Sequence, residues 1–466
     1  MRRRDFVAGS MAAALGALTP DFVAAAGRSP PNILFILADD MGYADLGCYG
    51  SRHIRTPVLD RLAAEGVKLT DAYSNSPVCS PTRLALMTGC YQTRWQTGLI
   101  EPFSAGEWGD HAIPDGQPTW PAVLRKAGYE TALIGKWHLG DTDKGGPRQF
   151  GYEHFFGFLG GGIDYFTHEY RDKPALRRDG AAITREGYMT QLLADEAIQL
   201  IRRCASTRQR FALSLHFNAP HWPWEGPEDR GLGTHGPHYD GGSLATYARM
   251  VESMDHEIGR LLAELEKLEL GGDTLVIFTS DNGGERFSDV WPFRGRKGLL
   301  LEGGIRVPVI VRFPRQLRAG VVSKQQMLSM DWMPTLLDAA GVSRADWPQL
   351  DGMSMLGALA GRGEIPRELF WKFQGHHQRA ALRGRWKYYR LGGHEFLFDV
   401  AADSMERANR AQAQPATLKA LADAWETWNE GMANDDSIPG FCDQARNLAE
   451  PLDTGPDSNC RPPKSS

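Results

Sequence analysis

The chain has 466 residues and a formal net charge of −5, with 42% hydrophobic and 23% charged residues. That balance suits a globular protein with one large domain and a smaller one, and it excludes a disordered or fibrous chain. A mildly acidic chain without a basic run gives no footing to nucleic-acid binding.

The chain starts Met1-Arg2-Arg3-Arg4-Asp5-Phe6, continues through an Ala/Gly-rich apolar run from Val7 to Leu18, and reaches Ala24-Ala25-Ala26. A basic start, an apolar middle and small residues read as a cleavable signal peptide over residues 1–26. The run is too short and too weakly apolar to span a bilayer, and no later segment approaches ~18 uninterrupted apolar residues. A mature chain that stays off the membrane is therefore expected. Arg3-Arg4-Asp5-Phe6 resembles a twin-arginine export signal, which implies a periplasmic or secreted protein.

Asn32 to Ala38 is a continuous apolar run stopped by Asp39-Asp40. Without polar alternation it reads as a strand buried on both faces, as in a parallel sheet covered by helices. Pro57 to Glu65 is a short helix closed by Gly66. Ser76-Pro77-Val78-Cys79-Ser80-Pro81-Thr82-Arg83 then delivers a cysteine to the first turn of a helix running to Thr88. Pro81 suits an early helical position, and Ser80 and Thr82 are candidates to bond the free backbone donors. Such a terminus favours an anion or a thiolate, and Arg83 adds positive charge.

Further along, Pro121 to Ala127 is a helix closed by Gly128, and Glu130 to Ile134 a strand stopped by Gly135-Lys136-Trp137-His138. Phe211 to Phe217 is a strand followed by Asn218-Ala219-Pro220-His221-Trp222. Leu244 to Leu268 carries one apolar stripe at helical spacing. Thr274 to Ser280 runs into Asp281-Asn282-Gly283-Gly284, and Val307 to Arg312 is a further strand. Asp331 to Leu337 reads as a helix completing a main domain of residues 27–365. In residues 366–466, the segments Glu368 to Phe373, Arg379 to Arg383, Trp386 to Leu391 and Glu395 to Val400 read as a small antiparallel sheet. Pro415 to Trp428 is an amphipathic helix packed on it, and no separate chemistry is expected there. Strands alternating with helices give the fold class: α/β, a mainly parallel sheet flanked by helices, with a small C-terminal antiparallel sheet and helix.

Ligands of open parallel sheets bind beyond the carboxyl ends of the strands. Four strands end in acid, amide, lysine or histidine residues, which predicts one shared polar site holding Asp39, Asp40, Lys136, His138, His221, Asp281 and Asn282. Singly, Asp39-Asp40 reads as a turn with a helix cap, and Asp281-Asn282-Gly283 as a turn. Jointly they form an oxygen-only donor set suited to Ca2+ or Mg2+. Arg83, Lys136 and Lys297 suit a tetrahedral oxyanion, and two histidines with pKa values near neutrality can relay protons.

Six cysteines (48, 79, 90, 204, 442 and 460) lack Cys-x-x-Cys spacing, which argues against zinc or iron–sulfur centres. A Cys442–Cys460 bridge would close a short loop in the irregular tail, worth ~3 kcal/mol in the chain-entropy model.

Cys79-Ser80-Pro81-Thr82-Arg83, continued by Thr88-Gly89, Tyr91 and Arg94, resembles the Cys-x-Pro-x-Arg signature of the type I sulfatases. Gly128 to Thr131 through Gly135-Lys136-Trp137-His138-Leu139-Gly140 resembles that family's second signature. Asn32 to Gly42, Pro220-His221-Trp222-Pro223, Ser280 to Gly284, Lys297-Gly298 and Glu302 to Pro308 resemble further blocks, in family order. The resemblance, to the type I sulfatases of the arylsulfatase A and N-acetylgalactosamine-6-sulfatase kind, implies an alkaline-phosphatase-like fold. It also implies oxidation of Cys79 to formylglycine by a formylglycine-generating enzyme. Asp39, Asp40, Asp281 and Asn282, with the modified Cys79, would hold one Ca2+. The formylglycine hydrate would attack sulfur and become sulfated. Arg83 would steady it, Lys136 and Lys297 would grip sulfate, His221 would protonate the leaving alcohol, and His138 would help expel sulfate.

The implied activity is hydrolysis of an aryl or carbohydrate sulfate monoester. Rivals are a phosphate or phosphonate ester hydrolase of the same fold, which commonly needs two metals, and a non-catalytic sulfated-glycan binder with Cys79 unmodified. Trp108, Tyr165, Trp222, Trp224 and Trp291 are candidates to line a sugar or aryl pocket, with His376-His377 approaching it.

Overall fold

The computed structural model describes residues 29–104, 106, 108–230, 241–374 and 377–434. Residues 1–26, read as a signal peptide, and Cys442, Cys460 and His376 lie outside these residues.

A ten-stranded sheet forms the centre of the molecule. Its middle is parallel: Thr274–Ser280, Asn32–Ala38, Phe211–His216, Glu130–Lys136 and His154–Phe158 lie side by side in that order. Each of the first three is buried along its whole length, as an apolar run without alternation requires. Within Asn32–Ala38, Leu34 and Ile36 enter one core with the helices Met189–Thr207 and Leu244–Lys267. Ile33, Phe35 and Leu37 enter another with Cys79–Thr88, Trp120–Lys126 and Trp332–Ala339. Two apolar layers on one sheet give the covered α/β architecture.

The strand read from Val307 begins at Val309 and pairs antiparallel with Thr274–Ser280. Glu130–Lys136 runs two residues past the expected stop at Ile134, because Gly135, at φ 115°, carries the ladder through. A Cβ there would stand 1.8 Å from the His216 carbonyl oxygen, so no other residue fits this pair of strands.

The C-terminal strands Glu368–Phe373, Gln378–Arg383, Trp386–Leu391 and His394–Asp399 form an antiparallel meander, backed by the helix Pro415–Asn429. It does not hang free. Leu369, Trp371 and Phe373 share a core with Tyr73, Val78 and Ala85, and Trp371 Nε1 donates to the Ser74 carbonyl at 2.8 Å. Gln378 takes the Leu300 N–H at 2.8 Å and donates to the Gly298 carbonyl at 2.9 Å. The meander thus braces the loop that carries Lys297.

Candidate active site

Parallel register brings the strand ends level. Ala38 pairs with Ser280 and Leu37 with His216, so Asp39-Asp40 and Asp281-Asn282 emerge beside one another. Lys136 closes the neighbouring strand. Asp40 and His138 take left-handed backbone angles, φ 62° and 59°, the strained turn that points consecutive side chains into one pocket.

Cys79 opens its helix among these residues, its Sγ 3.5 Å from Asp39 Oδ1 and 3.8 Å from Asp40 Oδ1. Arg83, one turn on, is locked by donating from Nε and Nη2 to Asp281 Oδ2 at 3.0 and 2.8 Å, and from Nη1 to the Lys136 carbonyl. Lys136 Nζ donates to Asp39 Oδ2 at 2.7 Å, and Lys297 Nζ to Asp40 Oδ2 at 2.6 Å. His221 Nε2 lies 3.6 Å from Asp40 Oδ2, while its Nδ1 is 2.6 Å from the Trp222 carbonyl. His138 stands over the same space, and neither of its ring nitrogens has a hydrogen-bond partner among the described residues. The structure thus gathers Asp39, Asp40, Cys79, Arg83, Lys136, His138, His221, Asp281, Asn282 and Lys297 into one buried cluster.

The donor set fits a hard cation. Asp39, Asp40, Cys79 and Asp281 each offer an atom within 4.8 Å of the others. Asn282 gives its amide hydrogens to Asp40 Oδ1 and the Gly283 carbonyl, and among the described residues its buried Oδ1 has no donor. A buried acceptor facing carboxylates is what a Ca2+-type ion satisfies. Without a cation, burial pushes Asp39 up to about 8, opposed by Lys136 and reinforced by Asp281. Against its burial, Lys297, His221 and Lys136 hold Asp40 below the usual carboxylate range.

Three sequence expectations change. Burial, only partly opposed by Lys136 and Lys297, drives the Cys79 thiol well above its ordinary value, so the helix start does not make a thiolate there. Burial and then Lys136 likewise push His138 and His221 well below the ordinary imidazole value rather than near neutrality. Ser80 and Thr82 do not cap the helix: Ser80 Oγ receives the Phe103 N–H, and Thr82 Oγ1 bridges the N–H and carbonyl of Ser76. The Ser80 N–H goes instead to Glu101 Oε2 at 2.7 Å.

Among the aromatic candidates, Tyr165 is fully buried and its hydroxyl donates to the carbonyls of Asn218 and His221, so it shapes the His221 loop rather than a pocket wall. Trp224 is buried against Phe287, and Trp108 packs against the core. Trp222 lies tilted on the His221 ring at 5.0 Å, and Trp291 is 64% exposed. His377 is exposed.

Residue reading missed three participants. His216 Nδ1 lies 3.2 Å from the Lys136 carbonyl and 3.5 Å from Arg83 Nη1, and its place at a strand end was a usable signal. Glu285, raised to about 7 by burial against the pull of Lys297, adjoins Asp40. Glu101 comes from an irregular loop with no periodicity to announce it.

A model of the sulfatase family matches residues 31–342, and one described as N-sulphoglucosamine sulphohydrolase, C-terminal, matches residues 295–422. Arylsulfatase J of Mus musculus is 35% identical over 358 residues, which are 73% of this chain and 58% of that protein, so the chain spans less than two thirds of its length. N-acetylgalactosamine-6-sulfatase of Canis lupus familiaris is 32% identical over 386 residues, 78% of this chain and 72% of the relative. The crystal structure of Ps i-CgsB, also solved in complex with k-i-k-neocarrahexaose, superposes with a TM-score of 0.78 at 30% identity, covering 87% of this chain and 94% of that one. With these matches running through every strand end that builds the cluster, the chain belongs to the sulfatase family of sulfuric ester hydrolases.

Proposed function

We propose that this protein hydrolyses sulfate monoesters of carbohydrates, using residue 79, oxidised from cysteine to formylglycine, as its nucleophile. The observation that carries the reading is the buried meeting of Cys79 with three carboxylates, Lys136, Lys297, His138 and His221. The Cys79 sulfur occupies the position of the aldehyde hydrate oxygen. A thiol held protonated by burial is a poor nucleophile, which favours a different group at this position.

Asp39, Asp40, Asp281 and Asn282 would hold Ca2+, which when bound supplies positive charge toward sulfate oxygens. Lys297, kept charged by Asp40, and Lys136, kept charged once Asp39 is ionised, face the space where sulfate charge builds up. Arg83 is held rigid by Asp281 and orients the first turn carrying residue 79. His221 donates a proton to the departing alcohol oxygen; burial and then Lys136 keep its ring neutral in the free protein, and the anionic ester opposes both. His138, whose two ring nitrogens have no hydrogen-bond partner among the described residues, accepts the proton of the hydroxyl left at residue 79.

The carbohydrate reading draws on relatives that act on N-acetylgalactosamine 6-sulfate or bind a neocarrahexaose, as their names state. The basic, apolar and small-residue start of the chain supports export through Arg3-Arg4 before signal removal. Lys in place of both arginines should then retain the protein in the cytoplasm.

The deciding assay compares 4-nitrophenyl sulfate with 4-nitrophenyl phosphate, then surveys monosulfated galactose and N-acetylgalactosamine. Turnover of sulfate with little of phosphate, abolished in a folded Cys79→Ala variant, is the expected result. Preference for phosphate, or activity surviving in Cys79→Ala, refutes the proposal.

A further inference from the structure

The cluster grades from floor to mouth. The side chains of Asp39, Lys136 and Asp281 are 0% exposed and Arg83 1%, whereas His138, Lys297, His221 and Glu101 are 3, 5, 6 and 7% exposed. The sulfate end of an ester must enter toward the floor, so its alcohol half stays at the rim that these four residues form. Three of the four are positive or proton-bearing groups suited to the ester itself. Glu101 is the one acid among the four.

Its geometry argues against a merely structural role. One carboxyl oxygen is spent on the Ser80 N–H at 2.7 Å, next to the nucleophile position. The other, Oε1, lies 3.9 Å from His138 Nε2, beyond hydrogen-bond reach. Cys79, Glu101 and His138 present their polar atoms within 4.8 Å of one another. The half of the carboxyl group not held by the helix thus borders the reaction space. A carboxylate with one oxygen pinned by the Ser80 N–H and the other beside His138 accepts a hydrogen bond from a ligand donor, and it repels a second anionic group at the same place.

We infer that Glu101 is a specificity-determining residue that accepts a hydrogen bond from a hydroxyl or amide N–H neighbouring the sulfated carbon. It thereby selects sugars that carry a free donor there and disfavours those with a second sulfate or a carboxylate. This inference rests on the sulfatase reading of the same cluster and names the feature its substrate must have.

The test takes the monosulfated sugar turned over fastest, together with derivatives in which each neighbouring donor is replaced by hydrogen or by a second sulfate. For wild-type protein, kcat/KM should fall about 10- to 100-fold on losing one particular donor, the range for a hydrogen bond to a charged group. In Glu101→Ala that ratio should shrink to within about threefold, and the disulfated derivative should gain relative to the monosulfated one. Glu101→Gln keeps an acceptor for the Ser80 N–H, so it provides the folded comparison if the alanine variant is unstable. In Glu101→Gln the penalty against the disulfated sugar should ease.

Wild-type protein indifferent to every neighbouring donor overturns the inference. So does a Glu101 variant that lowers all substrates by one common factor, since that outcome places the residue behind His138 or the helix start. Wild-type protein with no sulfate ester turnover would instead sink the underlying sulfatase reading, so the two failures are distinguishable.

Discussion

At the scale of single residues, the site divides labour between charge that is fixed and protons that move. His221 is assigned to the leaving alcohol, so His221→Gln should cost about 10²–10⁴ in kcat on a sugar sulfate. The loss should be markedly smaller on 4-nitrophenyl sulfate, whose leaving group departs without a proton. Equal losses on both would remove His221 from that role. Asp39 makes a second prediction. With its ion-free folded value pushed up to about 8 by burial, it holds a proton that the unfolded chain releases near about 4. Its contribution to ion-free stability is therefore complete below about 4 and lost as pH rises through about 8. Ca2+ must displace that proton, so the rise in Tm given by Ca2+ over EDTA should grow between about pH 5.5 and about pH 8. A rise independent of pH would contradict the assignment of Asp39 as a ligand. Asp39, Asp40, Lys136, His138, His221, Asp281 and Asn282 were legible in sequence because each ends or follows a buried strand. Lys297 sits in a loop and was legible only through its resemblance to a family block. Glu101 was not, since it reaches the site by a loop fold that no local pattern encodes. The protonation states of Cys79, His138 and His221 were also illegible, because they depend on burial rather than on spacing.

At the scale of elements, the apolar runs carried most of the fold. Asn32–Ala38 and Thr274–Ser280 have the bounds that their apolar content implies, since the polar residues that end each run are the site itself. The antiparallel partner Val309–Arg312 could not be told from a parallel strand, because a fully buried strand reads alike in either direction. Glycine at 135 is where local sequence and site geometry meet. Gly135→Ala would set a methyl group against the His216 carbonyl and force a positive φ on a residue with a side chain. The expected outcome is a destabilisation of at least about 1–3 kcal/mol, read by denaturant titration, with sulfate turnover lost as Lys136 moves. A variant as stable and as active as wild type would show that the two strands are not held at this spacing.

At the scale of the whole molecule, the C-terminal meander is tied to the catalytic part through charge as well as packing. Lys387 Nζ lies 2.9 Å from both Glu302 and Glu406, all three fully buried, and Glu302 also pairs with Arg306 Nη1 at 3.0 Å. Lys387→Met would leave two acids without their shared cation, at an expected cost of about 3–5 kcal/mol in denaturant unfolding. A loss below about 1 kcal/mol would mean that the contact is not needed to hold the meander. This tie was invisible in sequence, where Lys387 sits in an ordinary alternating strand and Glu302 lies 85 positions away.

The central claim concerns what residue 79 becomes. It is tested most directly by mass spectrometry of the peptide containing residue 79, taken from active protein made in its native host, with 4-nitrophenyl sulfate turnover measured on the same sample. The account predicts the aldehyde mass, with turnover proportional to the aldehyde fraction. A fully thiol peptide in protein that still cleaves the sulfate ester would contradict it.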